Sequence, residues 1–80
     1  MYYVYLIKSL KTPNKTYVGY TINLKQRLAD HNCGESIYSS DFRSWKLITY
    51  ICFDDKAKAL EFERYLKVGS GHAFAKRHFW

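Results

Sequence analysis

The sequence predicts an α+β domain, a small antiparallel sheet of about three strands flanked by helices in the order β-β-α-β-α-α. Three observations predict it. At 80 residues the chain has room for one core. Its first quarter holds two β-branched and aromatic runs separated by a Pro-Asn turn. Beyond residue 22, helix-capping residues and one further apolar run alternate.

Each element follows from its residues. Residues 2–10 include Tyr2, Tyr3, Val4, Tyr5, Leu6 and Ile7 without a polar alternation, as in a strand buried on both faces. Lys11-Thr12-Pro13-Asn14-Lys15 is turn chemistry, with proline pre-setting φ and asparagine tolerating the left-handed region. Thr16 to Thr21 returns as the second strand of a hairpin, and Gly19 within it marks a bulge or a close approach to the backbone. Asn23 is the expected N-cap of the first helix, with Gln26 at the reciprocal capping position and Gly34 as the stop. Residues 35–44 are polar and small, hence a surface loop, and Trp45 to Phe53 is the third strand. Asp54 or Asp55 caps a second helix running to about Lys67, and both place negative charge at its positive end. Gly69-Ser70-Gly71 breaks that helix, and a last short helix runs from about His72 to His78.

Composition narrows the function. Pro and Gly are too few for a disordered chain, and no run approaches the ~20 apolar residues of a spanning helix. The start lacks a signal-peptide pattern, so a cytoplasmic location is expected. Thirteen Lys and Arg against seven Asp and Glu leave a net charge of +6, which favours a phosphate-rich partner. The basic residues are scattered rather than stacked on one helix face, so no membrane partner is expected. Cys33 and Cys52 form neither a CxxC pair nor a disulfide framework, and packed free thiols are expected. A zinc site would need His31 and His72 recruited from distant segments. No organic cofactor is expected.

Helical wheels single out polar residues on apolar faces. At about 100° per residue, Ala59, Phe62 and Leu66 form the inward stripe of the second helix, with Leu60 at its edge. Glu63 falls inside that stripe and Glu61 points away. A buried carboxylate must be paired, protonated or bound to a cation. In the first helix Leu24 and Leu28 define the inner face, and Arg27 and His31 share it. Arg27 is either the internal partner of Glu63 or a cation aimed at an anion in a cleft. Tyr3 and Tyr5 lie on one face of the first strand and Tyr17 opens the second. Whether Tyr5 and Tyr17 share a face depends on a register that the sequence leaves open.

Taken together, Tyr3-Val4-Tyr5, eleven intervening residues and Tyr17-Val18-Gly19 resemble the paired motif of the GIY-YIG nuclease superfamily. Arg27 falls at the family's helical arginine, His31 at a position commonly His or Tyr, and Glu63 at the metal-binding glutamate. The resemblance covers essentially the whole chain and is greatest to small single-domain members, which often continue with a Lys-x-Gly-x-Gly turn and a basic tail. Here those residues are Lys67, Gly69, Gly71, Lys76 and Arg77. Tyr3 replaces the first glycine, valine replaces isoleucine in both motifs, and Tyr20 stands where some relatives carry lysine.

The resemblance implies a metal-dependent endonuclease that hydrolyses a DNA phosphodiester around one Mg²⁺ or Mn²⁺ ion. It implies Glu63 as the protein ligand of the metal, with waters and a phosphate oxygen completing the shell. Arg27 would neutralise charge on the phosphate in the transition state. Tyr17 or Tyr5 would orient or deprotonate the attacking water, with His31 as the alternative base or as support for the tyrosine. Lys67, Lys76 and Arg77 would hold flanking phosphates, and Tyr20 or Phe74 would stack on an unpaired base. Eighty residues leave no room for an added DNA-binding domain. The expected activity is therefore selective for DNA structure rather than sequence, or directed by a partner protein, in repair or recombination. The alternatives are a non-catalytic nucleic-acid-binding module with the same fold and a purely structural or protein-interaction domain.

Overall fold

The computed structural model describes residues 1–33 and 44–80. The stop expected at Gly34 and most of the expected 35–44 loop lie outside the described residues. The elements are β1 (Tyr2–Ser9), β2 (Thr16–Thr21), α1 (Leu24–Cys33), β3 (Trp45–Phe53), α2 (Lys56–Leu66) and α3 (Gly69–His78). They form one three-stranded antiparallel sheet in the order β2-β1-β3. The expected α+β order is the observed one.

The uninterrupted apolar run of β1 makes it the central strand, because only a strand covered on both sides can bury consecutive side chains. Val4 and Leu6 pack with Val18 against Ala59, Leu66 and Ala75 of α2 and α3. Tyr5 and Ile7 point the other way and pack with Trp45, Leu24 and Leu28 beneath α1. Two small cores thus share one strand. Burial of Val4, Leu6 and Ile7, each at 0% exposure, stabilises by about 1.5–3 kcal/mol per side chain relative to leaving it in water.

Local chemistry fixes the connections. In the hairpin turn Ser9 N donates to Lys15 O at 3.0 Å, and Thr12 N donates to the buried Ser9 Oγ at 2.9 Å. No described non-glycine residue has a positive φ, so Asn14 does not use the left-handed freedom expected of it. Asn23 Oδ1 caps α1 by accepting from Gln26 N at 3.1 Å. The reciprocal half of that box is absent: Gln26 Nε2 donates forward to Asp30 Oδ1 at 2.9 Å, and Thr21 Oγ1 takes the Asn23 N–H at 3.1 Å. Asp55, not Asp54, caps α2, accepting from Ala57 N at 2.8 Å.

The last helix starts at Gly69 rather than His72. Gly69 takes φ +48°, a left-handed value that glycine adopts without penalty, and turns the chain directly from α2 into α3. Gly71 lies inside the helix because a Cβ there would overlap the Tyr65 carbonyl of α2. The Gly-Ser-Gly segment therefore brings two helices close instead of separating them. Cys33 and Cys52 are both exposed, which corrects the expectation of packed thiols. Among the described residues no three His, Cys, Asp or Glu side chains converge as a metal cluster, and no helix is long and apolar enough to cross a membrane.

Candidate active site

The hairpin register settles what the sequence left open. Tyr5 lies opposite Gly19 and Ile7 opposite Tyr17, and directly paired antiparallel residues share a face. Tyr5 and Tyr17 therefore stand side by side, with ring centroids 6.2 Å apart. A Cβ on residue 19 would overlap Cζ and Oη of Tyr5. The glycine is there for a close approach, and what approaches is the Tyr5 ring. The sheet irregularity lies elsewhere, between Leu6 and Ile7 on the β3 side of β1.

Helix α1 completes the centre with two residues four apart on one face. His31 Nε2 is 2.8 Å from Tyr5 Oη, and Arg27 Nε donates to the same oxygen at 3.3 Å. His31 is fully buried and also meets Tyr17 and Trp45, with ring centroids at 4.9 and 6.2 Å. Burial, then the charge of Arg27, lowers its pKa to about 4 against the opposing charge of Asp30. The imidazole is consequently neutral near pH 7. Arginine only donates, so Tyr5 Oη accepts from Arg27, while the direction of its bond to Nε2 follows the imidazole tautomer. Burial also pushes the Tyr5 phenol up to about 12, with the Arg27 hydrogen bond acting against it. Arg27 is held above its ordinary value by Tyr5, with burial opposing and the Tyr17 hydroxyl adding support. Its side chain is one-third exposed, and Nη1 is 4.0 Å from Asp30 Oδ2.

Helix α2 supplies the carboxylate. Glu63 Oε2 pairs with Lys67 Nζ at 2.5 Å, and that ammonium lies 5.6 Å from the centroid of Tyr17. The Glu63 charge is also felt at Tyr5. The ion-pair partner of Glu63 is a lysine one turn on rather than the internal arginine open to it on sequence grounds. The Glu63 side chain is 19% exposed, and Glu61 faces solvent as the helical wheel predicts. As a metal donor, Glu63 offers hard oxygen with no described cluster of His or Cys beside it. That donor chemistry fits a strongly hydrated ion of the magnesium type, which takes one or two carboxylates and keeps several waters, and does not fit a zinc-type ion.

Tyr5, Tyr17, Arg27, His31, Glu63 and Lys67 are thus brought to one edge of the sheet by four elements. The remaining sequence candidates stand apart. Tyr20 is on the opposite sheet face, stacked on Tyr2 at 6.5 Å. Lys76 and Arg77 are exposed on the last turn of α3, and Phe74 packs against Tyr65, His78 and Phe79. One neighbour was missed. His72 borders a cleft with Tyr17 and Lys67, and only the early start of α3 puts it there.

The chain is similar in sequence to known proteins. The family profile described as the GIY-YIG catalytic domain matches residues 1–75. The structure-specific endonuclease subunit SLX1 of Candida dubliniensis is 33% identical over 85 residues, covering 96% of this chain and 28% of its own length. A UPF0213 protein of Staphylococcus haemolyticus is 34% identical over 70 residues, covering 86% of this chain and 83% of its own. Another, of Haloquadratum walsbyi, is 31% identical over 67 residues, covering 82% and 73%. The chain spans about a quarter of the length of the SLX1 relatives it matches.

Proposed function

The chain belongs to the GIY-YIG catalytic-domain family, and from that premise we propose that it is a divalent-metal-dependent DNA endonuclease selective for branched or otherwise unpaired DNA. The observation that carries the reading is the clasp of Arg27 Nε and His31 Nε2 on one buried phenol oxygen, Tyr5 Oη. Tyr5 and His31 are buried and Arg27 is half-buried, and ionisable groups with perturbed pKa values gathered around one atom mark a functional site.

Each residue then has a task. Arg27 is fixed by Tyr5, yet one-third of its side chain remains exposed, so a guanidinium face is held ready for phosphate oxygens. A preorganised cation of this kind stabilises charge as it develops on the phosphate. His31 positions Tyr5 rather than accepting its proton. Burial holds the phenol above its ordinary pKa and the imidazole below its own, so both stay neutral. Tyr17, half-buried and beneath the Lys67 ammonium, is the tyrosine that meets the attacking water. Glu63 would hold one Mg²⁺ or Mn²⁺ ion, with Lys67 moving to a phosphate. When bound, such an ion polarises the phosphoryl group and stabilises the leaving oxygen.

Selectivity for DNA structure is supported by the relatives named structure-specific endonuclease subunit, and the word subunit supports a targeting partner protein. Cleavage of branched DNA fits repair or recombination, and exposed thiols outside any disulfide fit the reducing cytoplasm. The test is incubation of purified protein with branched and plain duplex DNA, with Mg²⁺ or with EDTA. Metal-dependent cleavage of the branched substrate is expected. Salt-sensitive binding without cleavage under Mg²⁺ or Mn²⁺ would instead mark a non-catalytic binding module.

A further inference from the structure

We infer that the cleft bounded by Tyr17, Lys67, His72 and Trp80 is a subsite for one nucleotide with an unpaired base, next to the bond that is cut. The inference rests on the proposed DNA-cleaving function and names what the substrate must present.

The cleft measures about 210 Å³ and has the buried side chain of Leu66 in its wall. Drug-sized ligands need about 300–1,000 Å³, so a single base suits it better than a larger group. It is continuous with the candidate active site through Tyr17, whose ring lies 4.9 Å from His31. Lys67 stands at the junction, 5.6 Å from the Tyr17 ring. Opposite, His72 is exposed on the first turn of α3, where the Gly69 turn and the tight seat of Gly71 on α2 place it. Trp80 also lines the cleft. It is drawn back after α3 by its N–H bond to Ala75 O at 3.0 Å and is half-buried against the first core cluster.

This is the chemistry that takes a single-stranded nucleotide. Aromatic walls stack on a base without regard to its identity, and a lysine and an imidazole donate to its phosphate. A base in a duplex is covered on both faces by its neighbours, so only an unpaired one enters. Trp80 lies beyond the stretch matched by the family profile, residues 1–75. One side chain of the cleft is therefore supplied from outside the matched region, while Tyr17 and Lys67 are shared with the candidate active site.

The test uses the whole chain in EDTA, with a labelled oligothymidylate and a duplex of equal length. Trp45 is 3% exposed and shielded from contact with the oligonucleotide, so a change in tryptophan fluorescence on binding reports Trp80. Oligothymidylate is expected to quench it, and Trp80→Phe to abolish the quench while keeping affinity. Trp80→Ala and His72→Ala should each weaken single-strand binding by about tenfold and leave duplex binding unchanged. Wild-type affinity in both alanine variants, equal losses for single strand and duplex, or no oligothymidylate binding by the wild type would each overturn the subsite. Cleavage of branched DNA with Mg²⁺, measured separately, decides the nuclease reading without touching this result.

Discussion

Tyr5 and His31 lie 26 residues apart in the chain and share a 2.8 Å hydrogen bond in its interior. The bond joins the central strand to α1 and leaves the phenol oxygen a second bond, from Arg27. Because a buried polar atom that loses its partner keeps its desolvation cost, neither residue is replaceable alone. Tyr5→Phe should lower stability by about 1–3 kcal/mol, read from urea denaturation. It should also slow cleavage, because Arg27 loses the anchor that fixes its guanidinium.

Acid should uncouple the same pair. The His31 pKa falls from an ordinary 6.5 to about 4 in the fold. Below pH 6.5 the unfolded chain binds this proton and the native one does not, so stability is complete above that value and declines as pH falls towards 4. The loss attributable to His31 is about 3 kcal/mol. Urea midpoints at pH 7 and 4.5 should separate more in the wild type than in His31→Gln, which removes this titration. Equal separations would contradict the assignment.

Gly19→Ala tests the register. The added methyl overlaps the end of the Tyr5 ring, which has no room to retreat among Ile7, Trp45 and Leu28. Overpacking of this kind costs about 1–3 kcal/mol. Cleavage should fall further than in an alanine variant at exposed Lys15, measured under the same conditions.

Arg27→Lys keeps the charge and loses the guanidinium. An ammonium has no planar fork with which to hold Tyr5 Oη and a phosphate together. The single-turnover rate should drop by about two orders of magnitude, with Mg²⁺ dependence retained. A rate near that of the wild type would show that charge alone suffices.

Much of this was legible in the residues. The unbroken apolar run of β1 announced a central strand, and the wheel separated Glu63 from Glu61 before any contact was known. Asn23 and Asp55 declared two helix starts through their side-chain oxygens. Pairing was not legible, because a one-residue slip between strands reverses every face. Only the register shows Tyr5 crossing over Gly19. Gly71 misled for a related reason: a glycine reads the same whether it breaks a helix or lets one lie against another. His72 was hidden with it, since its place depends on where α3 starts. The Glu63–Lys67 pair lay in plain sight as an i, i+4 spacing, yet its position beside Tyr17 depends on how α2 meets β2.

The most direct test of the account is single-turnover cleavage of branched DNA by Glu63→Gln across a Mg²⁺ titration. The Glu63–Lys67 pair is partly exposed, so its loss should change stability by no more than about 1 kcal/mol, and the variant should remain folded. The account predicts a rate at least about a hundredfold below wild type at every Mg²⁺ concentration. A folded Glu63→Gln protein that cleaves at the wild-type rate with the same Mg²⁺ dependence would contradict it.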